Sequence, residues 1–221
     1  YGVQLKNNII NLWRKNILNA LDIDEIEGPI LTPRDPLIKS GHIKRFTDPI
    51  VYDMYGNCYR ADHLIEKYFN EKKEDLPILS KEKMEKIIEK NHLIEYLDKV
   101  KVFDVNLMYT CDKYYLRPEL AQNIFLNAER CMNKLRKTMP FGLAQIGKSF
   151  RKEISPRPFI RMKEFTQAEI EYFYDPSDQC KLNPMPFTVD ILTKNKEKMT
   201  VSLQDDDIIK CKRMRYFLTK I

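Results

Sequence analysis

The sequence predicts an α+β fold, a mainly antiparallel sheet flanked by helices and carrying a helical insertion. Three observations predict it: a long amphipathic stretch at the start, paired β-forming runs around turn residues, and a second amphipathic stretch mid-chain. In residues 3–21, Leu5, Ile9, Trp13, Ile17 and Leu21 recur at every fourth position, giving a helix of about five turns with one apolar stripe. The next segment, "EIEGPILTPRDPLIKSGHIKRF", is interrupted by Pro29, Pro33 and Pro36. Proline removes a donor and clashes inside a helix, so an extended run through Ile30 and Leu31 ending at Pro33 is expected there, and no helix. "DPIVYDMYGNCYRAD" reads as a hairpin turning at "YGN".

From Leu64 to about Lys101 the chain is charge-dense, with Met84, Ile87, Ile88 and Tyr96 near helical spacing and Ser80 as a candidate N-cap. This predicts a helical insertion over 66–102, read as a solvated helix with no specific contact. "VFDVNLMYT" and "KYYLRPE" return to strand character. Pro118 suits the first turn of a second helix, whose face carries Leu120, Ile124, Ala128, Cys131 and Leu135. A strand pair covers 144–173, "DPSDQCKLNPMPF" is a loop, and "FTVDILTKN" with "KMTVSLQ" make another pair. Met214, Phe217, Leu218 and Ile221 predict a closing amphipathic helix.

At 43% hydrophobic and 32% charged residues, the composition is that of a globular chain and excludes a disordered one. No apolar run approaches the roughly 20 residues of a membrane span, and "YGVQLKNNII" has no signal-peptide core. The net charge of +6 mildly favours polyanionic partners. The five cysteines (58, 111, 131, 180, 211) are scattered without C-x-x-C, and the three histidines are His42, His63 and His92. Neither a disulfide framework nor a zinc site is expected, which points to a reducing, cytoplasmic compartment. His63 and His92 read as ordinary surface or packing histidines.

Residues 149–173, "SFRKEISPRPFIRMKEFTQAEIEYF", crowd charges among aromatics. Strand alternation places Gln145, Gly147, Ser149, Arg151 and Glu153 on one face, and Arg161, Lys163, Phe165, Gln167 and Glu169 on another. Paired, these faces make a floor of two arginines, a phenyl ring and two carboxylates. Arginine forks bind phosphate oxygens, a phenyl ring stacks on a purine, and a carboxylate accepts from an amine. Phe165 and Glu169 lie about 13 Å apart along a strand at roughly 3.3 Å per residue, the span of a nucleotide joined to a small amine. Two readings stay open on these grounds: a ligand floor, or a charged hairpin with cross-strand ion pairs. Glu119, where strand meets helix, either complements the helix dipole or binds ligand.

At these residues the chain resembles the class II aminoacyl-tRNA synthetases, specifically the glycyl type of eukaryotes and archaea. "FRKE" at 150–153 and "RMKEF" at 161–165 match the two halves of the second family motif. "YLRPELAQNIF", "AQIGKSFRKEISPR", "EFTQAEIEYFYDP", "LKNNII", "LTPRDPLIKSGH" and "YRADHL" extend the likeness over most of 1–65 and 103–176. The resemblance implies a catalytic core over 1–65 and 103–221 interrupted by the 66–102 insertion. It implies that Arg151 holds the ATP α-phosphate, Glu153 reads the adenine amino group, Phe165 stacks on adenine, Arg161 reaches the terminal phosphates, and the Met162 backbone contacts the base. It further implies that Glu119 and Glu169 bind the glycine ammonium. Arg157 faces the tRNA acceptor end, or is a solvated loop arginine.

The implied activity is that of a glycine–tRNA ligase using glycine, ATP with Mg²⁺ and tRNA(Gly). A homodimer through the first-motif region, whose proline is Pro33, comes with it. The alternatives are a catalytically silent relative kept as a nucleic-acid-binding module and, more remotely, the histidyl type, which shares R-P-E but not "AQNIF" or "EFTQAE". The third family motif, G-x-G-x-x-R, and an anticodon-binding domain do not occur in this sequence. The sequence is therefore expected to cover part of a longer enzyme.

Overall fold

Backbone hydrogen bonding divides the chain into seven helices and eleven short strands among the residues that the computed structural model describes, 1–72, 79–96, 98–177, 188–193 and 197–204. In chain order they are α1 (Gly2–Trp13), a π-turn (Arg14–Leu18), α2 (Asn19–Leu21), β1 (Asp24–Glu25), β2 (Leu31–Pro33), α3 (Arg34–Lys39), α4 (His42–Arg45), β3 (Thr47–Tyr52) and β4 (Cys58–Arg60). Then follow α5 (Ala61–Lys72), α6 (Lys81–Lys90), β5 (Phe103–Asn106), β6 (Thr110–Cys111), β7 (Tyr114–Leu116), α7 (Ala121–Leu135), β8 (Phe141–Phe150), β9 (Glu164–Phe173), β10 (Thr188–Leu192) and β11 (Lys198–Ser202). The strands form four ladders, β1-β8-β9, β10-β11, β2-β7-β6 and β4-β3-β5. β1 pairs with β8 in parallel, with Asp24 opposite Leu143; the β2, β3 and β10 pairings are antiparallel. The expected helix over Met214–Ile221 lies outside the described residues.

Two compact units partition the chain. The first takes Tyr1–Ile26, Asn127–Ala144 and Ile170–Ile221. Its opening helix carries the predicted four-residue stripe, but α1 buries none of it: Leu5 and Ile9 are exposed. Burial begins one turn later, where Leu18, Ile23 and Ala144 form a small core with Trp13, Leu21 and Ile170 packed against it. Arg14 clamps Glu25 through two bonds of 2.7 Å, and Phe141 stacks on Phe173 at 5.0 Å. The predicted last strand pair is present, with Val189 opposite Val201.

The second unit, Glu27–Leu126 and Gln145–Glu169, holds the main core of Val51, Ala61, Ile65, Ile88, Val100 and Val102. The hairpin at "YGN" forms, pairing Val51 with Tyr59, and Gly56 takes the left-handed φ of 81° that its turn requires. The 66–102 segment does more than present a solvated face. Ile88 of α6 is fully buried, and Glu85 and Glu89 accept the N–H groups of Val102 and Val100 at 2.8 and 2.9 Å. Charge-dense sequence hid two carboxylates that terminate backbone hydrogen bonding.

Proline did not exclude helix from 25–46. α3 runs through Pro36, which sits in its first turn, where a backbone N–H has no intrahelical partner to lose. Pro118 fails in the opposite sense: it is not helical, because the Arg117 N–H still bonds Ile30 O at 3.0 Å and α7 starts only at Ala121. Glu119 therefore precedes α7.

Arg117 is 5% exposed, and its guanidinium is used up on the protein itself. Nε donates to Lys148 O at 2.7 Å and Nη1 to Gly28 O at 2.8 Å. The Gln145 amide oxygen, turned toward them, accepts from Arg117 Nη1 at 2.7 Å and from Gly28 N at 3.2 Å. A Cβ on Gly147 would run into Arg117 Nη2. Gly147→Ala in the full-length protein is accordingly expected to cost about 1–3 kcal/mol through overpacking, read as a lower urea midpoint.

Candidate functional site

Strand alternation breaks at the end of β8. β8 ends at Phe150, and Glu153 N bonds Arg151 O at 2.8 Å, a tight local turn. The polar face drawn through 145–153 is thus two things. Gln145 and Ser149 are fully buried, while Arg151 and Glu153 lie past the strand, where the turn re-aims them. On β9 the alternation holds, with Phe165, Gln167 and Glu169 more covered than Glu164, Thr166 and Ala168.

Arg151 is fixed from several sides. Its main-chain N–H bonds Lys163 O at 2.9 Å, its Nε donates to Pro118 O at 3.0 Å, and its guanidinium lies over the rings of Phe46 and Phe165, 5.2 Å from each centroid. A cation over aromatic faces at this distance is attracted by the ring quadrupole. Arg151, Glu153 and Arg161 line one recess of about 340 Å³ with Arg45, Asp48 and Arg60. Arg161 Nε is 3.9 Å from Glu153 Oε2. Arg60 bridges Asp48 at 2.9 Å and Asp62 at 2.6 Å, and burial pushes the Asp48 carboxyl above its ordinary range. The recess thus offers three arginines beyond Arg60 and two glutamate or aspartate side chains, enough to meet a charged ligand from both signs.

The second group of acids sits at the start of α7. Glu169 Oε2 accepts from Leu120 N at 3.0 Å, taking one of the N–H groups that a helix start leaves unpaired. The helix end thus falls to Glu169, not to Glu119. Burial pushes the Glu169 carboxyl above the usual carboxylate range; the Leu120 N–H bond pulls it down, and the charge of Glu119 raises it further. Glu119 Oε1 accepts from Gln122 Nε2 at 2.6 Å, and Glu169 Oε1 from Gln167 Nε2 at 3.0 Å. Each glutamine then leaves its own Oε1 buried with no hydrogen-bond partner, as does Ser149 Oγ. Buried acceptors without donors are costly, and a group rich in N–H donors would satisfy these.

Arg157 does not line the recess, but it is joined to it through Arg161. It bridges Arg161 across the loop and lines an open cleft of about 870 Å³ with Arg60, His63, Lys67 and Arg161. Phe159 and Ile160 at the loop tip are 93% and 83% exposed. Met162 is exposed and is not among the residues that line the recess. Among the described residues, no cluster of three or more His, Cys, Asp or Glu side chains is arranged to hold a metal ion. No described helix is long and apolar enough to cross a membrane.

A family model described as the tRNA synthetase class II core domain (G, H, P, S and T) matches residues 103–183. The chain is 39% identical over 224 residues to the glycine–tRNA ligase of Methanocaldococcus jannaschii, covering 93% of this chain and 38% of that protein. The chain belongs to the class II tRNA synthetase family. This class II core is also 39% identical over 204 residues to the glycine–tRNA ligase of Drosophila melanogaster, covering 79% of this chain and 27% of that one. Against glycine–tRNA ligase 2 of Saccharomyces cerevisiae the identity is 39% over 206 residues, covering 79% and 33%. The class II core thus spans less than two fifths of the length of these relatives.

Several residues that shape the class II core's site escaped the sequence reading: Phe46, His42, Gln122, Asp48 and Arg60. The strings "SGH", "YRADHL" and "AQN" carry three of them, but a string does not say which side chain reaches the site. Phe46 lies 105 positions from Arg151, a contact that no local pattern encodes.

Proposed function

We propose that the full-length protein is a glycine–tRNA ligase, activating glycine with ATP and passing it to the 3′ end of tRNA(Gly). The observation that carries this reading is the pairing of two carboxylates and unpartnered buried amide oxygens at one end with an arginine–phenyl pair at the other. An α-ammonium has three N–H donors, and Glu119, Glu169 and the free amide oxygens supply acceptors for them. Glycine has no side chain to grip, so its recognition must come from the amine and from exclusion of anything larger.

In this reading Arg151 lies on the α-phosphate, Arg161 on the outer phosphates and Phe165 under adenine. Glu153 accepts from the adenine amino group, and the Met162 backbone borders the base. A carboxylate oxygen of glycine attacks the α-phosphorus, the bond to the bridging oxygen breaks, and pyrophosphate leaves with Mg²⁺, which enters as the counter-ion of ATP. The tRNA ribose hydroxyl then attacks the glycyl carbonyl and releases AMP. No protein nucleophile takes part; the protein positions the reactants and offsets charge as it develops. Arg157 and the basic cleft beside it take the acceptor end. The exposed apolar side chains of α1, Val3, Leu5, Ile9 and Leu12, support a homodimer. The core over 1–65 and 103–221 then carries 66–102 as an insertion. The free thiols of Cys58, Cys111 and Cys131 accord with a cytoplasmic location.

Charging with labelled glycine tests the whole reaction. The full-length protein is expected to form an alkali-labile glycyl ester on tRNA(Gly) in the presence of Mg·ATP, and no ester when ATP is left out. Absence of the ester with tRNA that is a good substrate for another glycine–tRNA ligase contradicts the proposal.

A further inference from the structure

Apart from Arg45, which lines the recess, residues 40–46 are given no contact with glycine or ATP in the reading above, yet two of their rings touch groups that are. Gly41 takes φ +84°, the left-handed region where other residues are strained, and the chain turns there into the single turn of α4. His42 and Phe46, four positions apart, fall on one side of that turn with ring centroids 5.2 Å apart. Asn106 Nδ2 donates to His42 O and Ile43 O at 3.1 Å each, and Leu107 N bonds Phe46 O at 3.0 Å. The turn is therefore tied to its neighbours along its length.

His42 Nε2 lies 3.2 Å from Glu119 Oε1, and His42 Nδ1 lies 2.9 Å from Ser40 Oγ. Ser40 Oγ also donates to Leu37 O at 3.4 Å, and Nε2 is the His42 nitrogen directed at Glu119. A carboxylate oxygen accepts, so His42 Nε2 and Gln122 both donate to the same oxygen, Oε1. Two donors on one oxygen orient the carboxylate. Phe46, on the same turn, lies against the Arg151 guanidinium at 5.2 Å.

We propose that His42 and Phe46 form a two-ring brace in which His42 is the positioning residue for Glu119 and Phe46 the positioning residue for Arg151. One turn of chain then sets both the ammonium end and the phosphate end of the site. The inference rests on the reading of those ends as glycine- and ATP-binding.

The test is ATP–pyrophosphate exchange on the full-length protein, titrated separately with glycine and with ATP. His42→Leu raises the glycine KM about tenfold, the loss of a hydrogen bond to a charged group, and moves the ATP KM by less than about twofold. His42→Gln, whose amide can still donate to Glu119, stays within about threefold of the parent. Phe46→Leu gives the reverse pattern, a three- to tenfold change (about the weight of one cation–π contact) in ATP KM or kcat with glycine KM unmoved, and Phe46→Tyr restores it. The brace is overturned if His42→Leu and Phe46→Leu shift both substrates alike or shift neither. It is equally overturned if the conservative variants lose as much as the others. A parent protein with no glycine-dependent exchange removes the functional reading itself, and the brace with it.

Discussion

Glu169→Gln in the full-length protein raises the glycine KM by about a hundredfold, leaves the ATP KM within about twofold, and makes the protein more stable at neutral pH. The two halves of this result have one cause. Glu169 is held ionised in a place that penalises charge: burial raises its carboxyl, Glu119 adds to that, and the Leu120 N–H bond only partly offsets it. In the proposed function the charge serves the ligand, so removing it costs ligand affinity and relieves the fold. The amide of the variant also fits the surroundings. Its oxygen keeps the Leu120 N–H, and its NH₂, standing where Oε1 accepts from Gln167 Nε2, donates to Gln167 Oε1 once the Gln167 amide turns over.

The pH dependence follows with a definite sign. The folded-state pKa of Glu169 lies above its unfolded value, so the protonated form is the one that folding favours. The stability gained by Glu169→Gln is complete above the folded pKa. It shrinks as pH falls through that value and vanishes below the ordinary glutamate range. Over the same window the glycine KM of the parent protein rises with falling pH, because a protonated Glu169 no longer attracts an ammonium. Chemical denaturation of both proteins at neutral and acid pH, beside glycine titrations, checks the two together. An unchanged glycine KM in the variant removes Glu169 from the ammonium site.

Arg151→Ala is expected to lower kcat for adenylation by about 10²–10³, the usual cost of one preorganised donor at a developing charge. The more telling variant is Arg151→Lys. Lysine restores the charge, but it has neither the planar fork nor the flat surface that lies over Phe46 and Phe165. It also lacks an Nε–H to reach Pro118 O while pointing its charged head elsewhere. Arg151→Lys therefore recovers no more than about tenfold of the loss, since geometry is most of what a phosphate-binding arginine contributes. Rapid-quench measurement of adenylate formation reads this step apart from tRNA transfer. A lysine variant as fast as the parent contradicts the role given to the planar side chain.

Much of this architecture is legible in the sequence because it is local. The hairpin around Gly56, the β10–β11 pair and the face of β9 carrying Phe165, Gln167 and Glu169 all follow from period-two alternation and turn chemistry. The misreadings come where a residue type has two meanings. Pro36 sits in the first turn of a helix where the proline pattern predicts none, and Pro118 stays outside the helix whose first turn it suits. Alternation was carried three residues too far past Phe150, so Arg151 and Glu153 were given the right company for the wrong reason. The α1 stripe marks a helix correctly but says nothing about what covers it, and the described residues leave Leu5 and Ile9 exposed. Long-range partnerships were out of reach altogether. That Glu169 caps α7, that Arg117 is spent on Gly28 and Lys148, and that Phe46 meets Arg151 are facts of folding, visible only once distant segments are brought together.

ATP–pyrophosphate exchange by the full-length protein, run with each of the twenty amino acids in turn, tests the central claim most directly. The account predicts exchange with glycine and with no other amino acid, since in the proposed function Glu119 and Glu169 read the amine and anything larger than glycine is excluded. Exchange driven by a different amino acid contradicts the glycine assignment. No exchange with any of them contradicts adenylation altogether and leaves the fold serving as a binding module.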